Sequence, residues 1–188
     1  MTARVLLLAS GSGSVLQALL DSDLRRAIVA VGSDRPEAVA LQRGREAGVD
    51  TFVVDFSAYS ARSEWSSALQ GALERYRPTL IVLAGFMRIL DASIVQAFRG
   101  RIINTHPALL PSFPGAHAIR DALAAGVRVT GCTVHWVDEG VDTGQVIDQV
   151  AVRVHDDDDA ATLHERVKVV ERELLVSVVR RLISETAS

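Results

Sequence analysis

The fold class is indicated by Arg4-Val5-Leu6-Leu7-Leu8-Ala9, an apolar run that leads directly into Ser10-Gly11-Ser12-Gly13-Ser14. Continuously apolar runs of this length are typical of parallel strands that are covered on both faces. The glycines indicate a tight turn, and Val15–Ser22 then has the apolar spacing of a helix. A strand, a glycine turn and a helix in this order predict an α/β protein.

The same alternation continues to the end of the chain. Further strands are predicted at Ala27–Gly32, Thr51–Val54, Leu80–Ala84, Arg101–Asn104, Gly131–Val137 and Val146–Val154. Further helices are predicted at Pro36–Ala47, Ser60–Tyr76, Ala92–Phe98, His117–Ala125 and about Ala160 to Ser184. Pro36 suits a first helical turn that Ser33-Asp34 would cap.

Only Asp138–Gly144 lies between the last two predicted strands, so these two should pair antiparallel. We expect a single domain over residues 1–188, because no linker or repeat divides the chain. The predicted fold is an open, mostly parallel twisted sheet with helices on both faces and an antiparallel edge near the C-terminal part.

Composition limits the class of partner. The net charge is −3, without the basic excess that nucleic acid would require. Cys132 is the only cysteine, which excludes an internal disulfide and fits a reducing compartment. The first apolar run is too short for a membrane span and is not a signal sequence, so we expect a cytoplasmic protein without a membrane partner.

Segments that are candidates for a binding site follow three predicted strands. They are the glycine loop at Ser10–Ser14, the segment Gly85–Leu90 and the segment Asn104–His106. Ligands in open α/β sheets bind beyond the carboxyl ends of the strands, so all three should meet at one edge. The glycine loop offers backbone amides at a helix start, which suit a phosphate, although many such loops only close a turn. The loop does not match the dinucleotide-binding fingerprint, because Leu16 occupies the position of its third glycine.

The segment Asn104-Thr105-His106-Pro107-Ala108-Leu109-Leu110-Pro111 carries the chemistry. Asn104 and His106 alternate in an extended stretch, so their side chains share a face. Asp142 supplies a carboxylate from a later loop. An amide can stabilise an oxyanion, an imidazole can move a proton and a carboxylate can orient the imidazole, which together predict acyl or formyl transfer. From the residues alone, a proline turn with a structural histidine and an Asx-turn aspartate remains the alternative.

Four segments resemble the folate-dependent formyltransferases, and among these the phosphoribosylglycinamide formyltransferases of purine synthesis. They are Gly11–Ser14, Ala84–Leu90, Asn104–Gly115 and Asp142–Gly144, in the same order along nearly the whole chain. The resemblance implies transfer of a formyl group from 10-formyltetrahydrofolate, the co-substrate, to the amine of glycinamide ribonucleotide. It implies no metal.

The resemblance also implies roles for individual residues. Asn104, His106 and Asp142 would be catalytic. The substrate phosphate and ribose would contact Gly11, Ser12, Gly13, Ser14, Lys168 and Glu171, and the folate would contact Met87, Arg88, Ile89, Leu90, Val141 and Asp142. The Leu110-Pro111 peptide would be cis.

The chain departs from the family at Ser12 and Val15, where asparagines are usual. Backbone contacts would survive these changes, but a side-chain contact at position 15 would not. From spacing alone, Lys168 and Glu171 could instead form a surface ion pair, and Arg88 could be a solvated loop residue.

The other histidines and the acidic run have simpler interpretations. His135 is expected to be a structural or pocket-wall residue, His117 could line the substrate pocket, and His155 and His164 should face solvent. Asp156–Asp159 could suggest a metal, but a solvated loop whose last members cap the final helix is favoured. No set of histidine, cysteine and carboxylate residues has a closed metal geometry.

Three rival functions are a formyltetrahydrofolate hydrolase, a methionyl-tRNA formyltransferase and a plain nucleotide-binding module. The hydrolase would need an extra N-terminal regulatory domain and the tRNA enzyme a C-terminal RNA-binding domain, and neither is expected here. The binding module would leave Asn104, His106 and Asp142 unexplained. The sequence does not distinguish a monomer from a homodimer.

Overall fold

The protein is described by a computed structural model of residues 2–187, and its centre is one seven-stranded sheet. Met1 and Ser188, the ends of the predicted domain, lie outside the described residues. The strands are β1 Val5–Leu8, β2 Ile28–Ser33, β3 Thr51–Val53, β4 Leu80–Leu83, β5 Ile102–His106, β6 Val129–Trp136 and β7 Val146–Arg153. The α-helices are α1 Ser14–Leu20, α2 Val39–Glu46, α3 Arg62–Tyr76, α4 Ala92–Ala97, α5 Ala118–Ala124 and α6 Ala160–Ala187.

The strand order is β3-β2-β1-β4-β5-β6-β7. Strands β1 to β5 pair in parallel, whereas β5-β6 and β6-β7 are antiparallel. This arrangement confirms the predicted mostly parallel sheet with an antiparallel edge. Two short 3-10 helices, Asp23–Ala27 and Phe56–Ala58, were not predicted, because three to five residues carry too little periodicity to detect.

Helices cover both faces of the sheet, as predicted. In β1, Val5 and Leu7 pack into one apolar cluster with residues of α1 and α6. Leu6 and Leu8 point to the other face, where α3 and α4 contribute residues such as Trp65. This alternation explains why β1 is apolar at every position: both of its faces are buried.

The predicted start of α2 is wrong. The helix begins at Val39 rather than Pro36, and Ala38 precedes it without a side-chain cap. Ser33 is the last residue of β2, and the Asp34 carboxylate is buried against the Arg88 guanidinium instead of capping a helix. The first turn of α2 is instead joined to the glycine loop, because Ala40 N donates to Gly11 O at 3.0 Å.

The prediction that the acidic run caps the last helix is confirmed at Asp159, whose Oδ1 accepts from Thr162 N at 2.8 Å. Asp158 is not solvated as expected, because its carboxylate pairs with Arg166 and is only 3% exposed. The buried stripe of α6 includes Leu163, Val167 and Leu174. Among residues 2–187, none of the helices is both apolar and long enough to cross a bilayer.

Candidate active site

A cleft of about 520 Å³ lies at the carboxyl ends of the parallel strands. Its walls are the glycine loop (residues 11–15), the segment after β4 (residues 83–90), the end of β5 (residues 104–107), the β6–β7 loop and one side of α6. The sequence predicted that the first three would meet at one edge of the sheet, and they do.

The glycine loop is joined to the segment after β4. Ser10 N donates to Gly85 O at 3.0 Å, and Met87 N donates to Ser10 Oγ at 2.8 Å. Gly13 has a φ of +65°, and a Cβ there would lie 2.8 Å from the Cβ of Ala40. At this position glycine is required both by the backbone conformation and by the close approach of α2.

Asn104, His106 and Asp142 converge inside the cleft. Asn104 Nδ2 donates to Asp142 Oδ1 at 3.4 Å, and His106 Nδ1 lies 3.3 Å from Asp142 Oδ2. Asn104 and His106 extend from the same face of β5, as their alternation predicted. Asp142 therefore contacts both residues directly, without a bridging group.

Both ring nitrogens of the buried His106 face oxygen atoms. Nε2 lies 2.7 Å from the carbonyl oxygen of Phe113, and Nδ1 faces Asp142. A neutral imidazole has one N–H and can donate to only one of these acceptors, whereas the protonated ring donates to both.

The β6–β7 loop presents the Asp142 carboxylate. The residue has a φ of +55°, and its Oδ2 accepts from Gly115 N at 2.8 Å. The pKa of Asp142 is lowered to about 2, first by hydrogen bonding to His135, then by the Gly115 N–H and the charge of His106, against the cost of burial. The Asx turn in this loop belongs to Asp138, which accepts from Gly140 N at 3.1 Å, so that alternative for Asp142 is wrong.

Helix α6 contributes a carboxylate that is almost fully buried. Glu171 is 6% exposed and accepts from Thr105 Oγ1 at 2.5 Å, and burial raises its pKa. Lys168 pairs with Glu165 at 2.6 Å rather than with Glu171. Lys168 and Glu171 both line the cleft, so the alternative of a surface pair between them is wrong.

The segment after β4 forms an apolar wall. Met87 and Ile89 are 64% and 57% exposed, which is unusual for such side chains, whereas Leu90 is buried. Val141 lines the same cleft and is also exposed. Exposed apolar side chains beside a cleft are suited to cover a flat heterocycle.

Arg88 is not a solvated loop residue. Its Nε donates to Asp34 Oδ2 at 2.8 Å, and its guanidinium carbon lies 4.0 Å from the centre of the Phe56 ring. Neither partner was predicted from the sequence. Asp34 follows β2 and Phe56 follows β3. They come near Arg88, which follows β4, because these parallel strands end at the same edge of the sheet.

Similarity to known proteins agrees with this geometry. Residues 3–179 match the formyl transferase family. The chain is 51% identical over 183 residues to phosphoribosylglycinamide formyltransferase of Mycobacterium tuberculosis, a match that covers 96% of this chain and 85% of that protein. The chain belongs to the phosphoribosylglycinamide formyltransferase family. The family and the enzyme class predicted from the sequence are therefore confirmed.

Solved structures show the same fold for this formyltransferase. The crystal structure of glycinamide ribonucleotide transformylase 1 from Symbiobacterium toebii has a TM-score of 0.94 at 41% identity, covering 98% of this chain and 89% of that chain.

The human trifunctional purine biosynthetic protein adenosine-3 is 44% identical over 188 residues, which are 98% of this chain and 19% of that protein.

Of the other four histidines, two lie where the sequence predicted and two do not. His135 is a buried pocket-wall residue as expected, and His155 is exposed. His117 is exposed at the start of α5 and does not line the cleft, contrary to expectation. His164 was expected to face solvent, but it is half-buried and lines the cleft, because α6 turns this side towards the site.

His135 also contacts two of the catalytic candidates, which was not predicted from the sequence. Its Nε2 lies 3.5 Å from Asp142 Oδ1 and 3.4 Å from Asn104 Nδ2. In the antiparallel pairing of β5 with β6, His135 is directly opposite Asn104. This contact could have been predicted from the sequence only if the register between β5 and β6 had been known.

The turn after His106 is held by side chains of β6 and β7. Leu110-Pro111 is cis, as the family resemblance implied. Thr133 Oγ1 accepts from Leu110 N at 3.1 Å and donates to Ala108 O at 2.6 Å, and Gln149 Nε2 donates to Leu110 O at 2.9 Å. Within residues 2–187 no group of three or more histidine, cysteine or acidic residues is placed to hold a metal ion.

Proposed function

We propose that the cleft transfers a formyl group from 10-formyltetrahydrofolate to the amine of glycinamide ribonucleotide. The observation that carries this proposal is the convergence of Asn104, His106 and Asp142 within direct contact distance. An amide, an imidazole and an ionised carboxylate are the groups that formyl transfer from one nitrogen to another requires. Membership of the family supports the same reaction.

In the proposed reaction the substrate amine attacks the formyl carbon and forms a new C–N bond. The formyl oxygen then carries negative charge. Asn104 can donate one N–H of its amide to this oxygen while the other remains on Asp142, since the amide nitrogen has two N–H groups. The protonated ring of His106 adds a positive charge beside the same oxygen.

The second half of the reaction breaks the bond between the formyl carbon and the folate nitrogen. The attacking amine loses a proton and the folate nitrogen gains one, so no net proton is released. Asp142, whose pKa of about 2 keeps it ionised at neutral pH, supports the charged state of His106 during this transfer. We assign His106 and Asp142 the movement of this proton.

The two substrates would approach from different walls of the cleft. We assign the ribonucleotide phosphate to the backbone amides of residues 11–14 and to Lys168, and the ribose to the carboxylate of Glu171. We assign the folate to the apolar wall of Met87, Ile89, Leu90 and Val141, beside Arg88. The reacting groups would then meet beside Asn104 and Asp142.

The test is an assay of tetrahydrofolate formation with and without glycinamide ribonucleotide, with formylated ribonucleotide and formate measured in parallel. We expect tetrahydrofolate and formylated ribonucleotide in equal amounts, and no product without the ribonucleotide. Release of formate in the absence of ribonucleotide would instead support a hydrolase. An Asn104→Ala variant that keeps normal turnover would contradict the assigned site.

A further inference from the structure

Three histidines line the cleft, and they differ in how their rings are engaged. His106 contacts Phe113 O and Asp142, and His135 contacts Trp136 O and Asp142. Among the described residues, 2–187, the ring of His164 has neither a hydrogen-bond nor an ion-pair partner. A half-buried imidazole in a binding cleft without a partner is available to a ligand.

Helix α6 places His164 in line with the two residues already assigned to the ribonucleotide. His164, Lys168 and Glu171 have the spacing of successive turns and all line the cleft. Glu171 is held by Thr105, which lies between Asn104 and His106 on β5. At 1.5 Å per residue, His164 lies about 10 Å along the helix from Glu171, the residue that contacts the strand of Asn104 and His106. A ribose phosphate has its anionic group at the end opposite its reacting amine.

We propose that His164 is a further substrate-binding residue, whose protonated ring donates a hydrogen bond to the phosphate of the ribonucleotide. This inference rests on the proposed function and adds a specificity residue to it. The glycine loop offers the hydroxyls of Ser12 and Ser14 to a phosphate but has no charged side chain. Of the other cations of the cleft, Arg88 pairs with Asp34, and the charge of Lys168, which is assigned to the phosphate, is partly balanced by Glu165. His164 supplies charge that these groups do not.

The electrostatic surroundings of His164 support such a role. Burial and then the positive charge of Lys168 lower the pKa of His164, while Glu165 acts in the opposite direction. A phosphate dianion beside the ring reverses this balance and stabilises the imidazolium. Binding of the ribonucleotide therefore takes up a proton, and the affinity falls as pH rises through the pKa of the complex.

The elements packed against α6 do not supply another charge to this wall of the cleft. Helix α1 has no charged side chain, and the only histidine of β6 is His135, which faces Asp142. Helix α5 and strand β7 have charged side chains that do not line the cleft: Arg120, Asp121, Asp148 and Arg153. From β5, the ionisable side chain that faces the cleft is His106, which lies against Asp142.

The test compares the wild-type protein with His164→Gln and His164→Lys at about pH 6.5 and about pH 8.5, both above the second pKa of about 6 of a phosphate ester. For wild type, we expect the KM for glycinamide ribonucleotide to rise with pH. His164→Gln should have a KM about tenfold higher than wild type at the lower pH, with little dependence on pH, because a charged hydrogen bond is lost. His164→Lys keeps the charge, so its KM should stay low at both values. His155→Gln, an exposed histidine outside the cleft, is the matched control and should behave as wild type.

Calorimetric titration of the ribonucleotide into the protein, in buffers of different ionisation enthalpy, measures proton uptake without turnover. We expect uptake by wild type at about pH 7.5 and none by His164→Gln. A His164→Gln variant with the KM and proton uptake of wild type would overturn this inference. His164-dependent binding of the ribonucleotide without formyl transfer would contradict the proposed function alone.

Discussion

Thr105 donates its hydroxyl to the buried Glu171 carboxylate at 2.5 Å, although 66 positions separate the two residues in the sequence. This hydrogen bond joins β5, which presents Asn104 and His106, to the wall formed by α6. The contact thereby connects the reacting groups with the residues assigned to the ribonucleotide.

Thr105→Val should weaken both the fold and ribonucleotide binding. Valine keeps the shape of threonine but leaves a carboxylate that is 6% exposed without its hydroxyl partner. The loss of a hydrogen bond to a buried acidic group costs about 1.5–3 kcal/mol. Urea unfolding at neutral pH should show this loss, and the KM for the ribonucleotide should rise. Thr105→Ser keeps the hydroxyl and is the control; equal losses in both variants would show that packing, not the hydrogen bond, is responsible.

Asp142→Asn should abolish turnover and leave the affinity for the ribonucleotide nearly unchanged, because asparagine keeps the size but removes the charge beside His106. Asn104→Ala should lower kcat by about 10²–10³ if it removes an oxyanion donor. Steady-state kinetics together with direct binding of the ribonucleotide separate the two effects. A near-normal kcat in either variant would be incompatible with the assigned roles.

The stability of the protein should include an acid-sensitive contribution from Asp142. Its pKa of about 2 lies below the ordinary value of 3.8, so its stabilisation is present above the ordinary value and is lost as pH falls towards the folded-state value. Because the Asp142 side chain is only 11% exposed, solvent screens its interactions little. The difference between the two pKa values then corresponds to about 2 kcal/mol of folding free energy. The free energy of unfolding of Asp142→Asn, measured by urea titration at about pH 5 and about pH 2.5, should change less with pH than that of wild type. An identical pH dependence in the two proteins would remove Asp142 from this account.

The general fold could be predicted because its signals are local. The apolar run at Val5–Leu8 and the spacing of apolar residues on α6 each predict their element without reference to the rest of the chain. The start of α2 could not be predicted in this way. Ser33 and Asp34 are residue types that often cap helices. In the folded protein, however, Asp34 pairs with Arg88, a residue that is distant in the sequence.

The same distinction applies to the site. Asn104, His106 and Asp142 were identified because they follow predicted strands and resemble a known motif. The contacts of His135 and Thr105 depend on the register between β5 and β6 and on the rotation of α6 about its axis. His164 was placed in solvent for the same reason, since the flanking acidic residues do not indicate which side of α6 faces the cleft.

The glycine loop allows its role in binding to be separated from its role in the fold. Gly13 has a φ of +65° and would bring a Cβ to 2.8 Å from Ala40, whereas a Cβ on Gly11 meets nothing within 4 Å. Gly13→Ala should therefore destabilise the protein by about 1–3 kcal/mol, as well as raise the KM for the ribonucleotide. A bulkier residue at Gly13 should block the approach of the phosphate and raise this KM steeply, with little change in folate binding.

Gly11→Val is the sharper of the two tests, because Gly11 lines the cleft and a Cβ at this position meets no other atom within 4 Å. We expect the thermal midpoint to stay near that of wild type and the KM for the ribonucleotide to rise, while the KM for 10-formyltetrahydrofolate stays close to its wild-type value. Inorganic phosphate should compete with the ribonucleotide and not with the folate, since a helix start with free backbone amides favours an anion. Competition of phosphate with the folate alone, or displacement of the ribonucleotide by NAD at similar concentration, would contradict the assignment of the phosphate to residues 11–14.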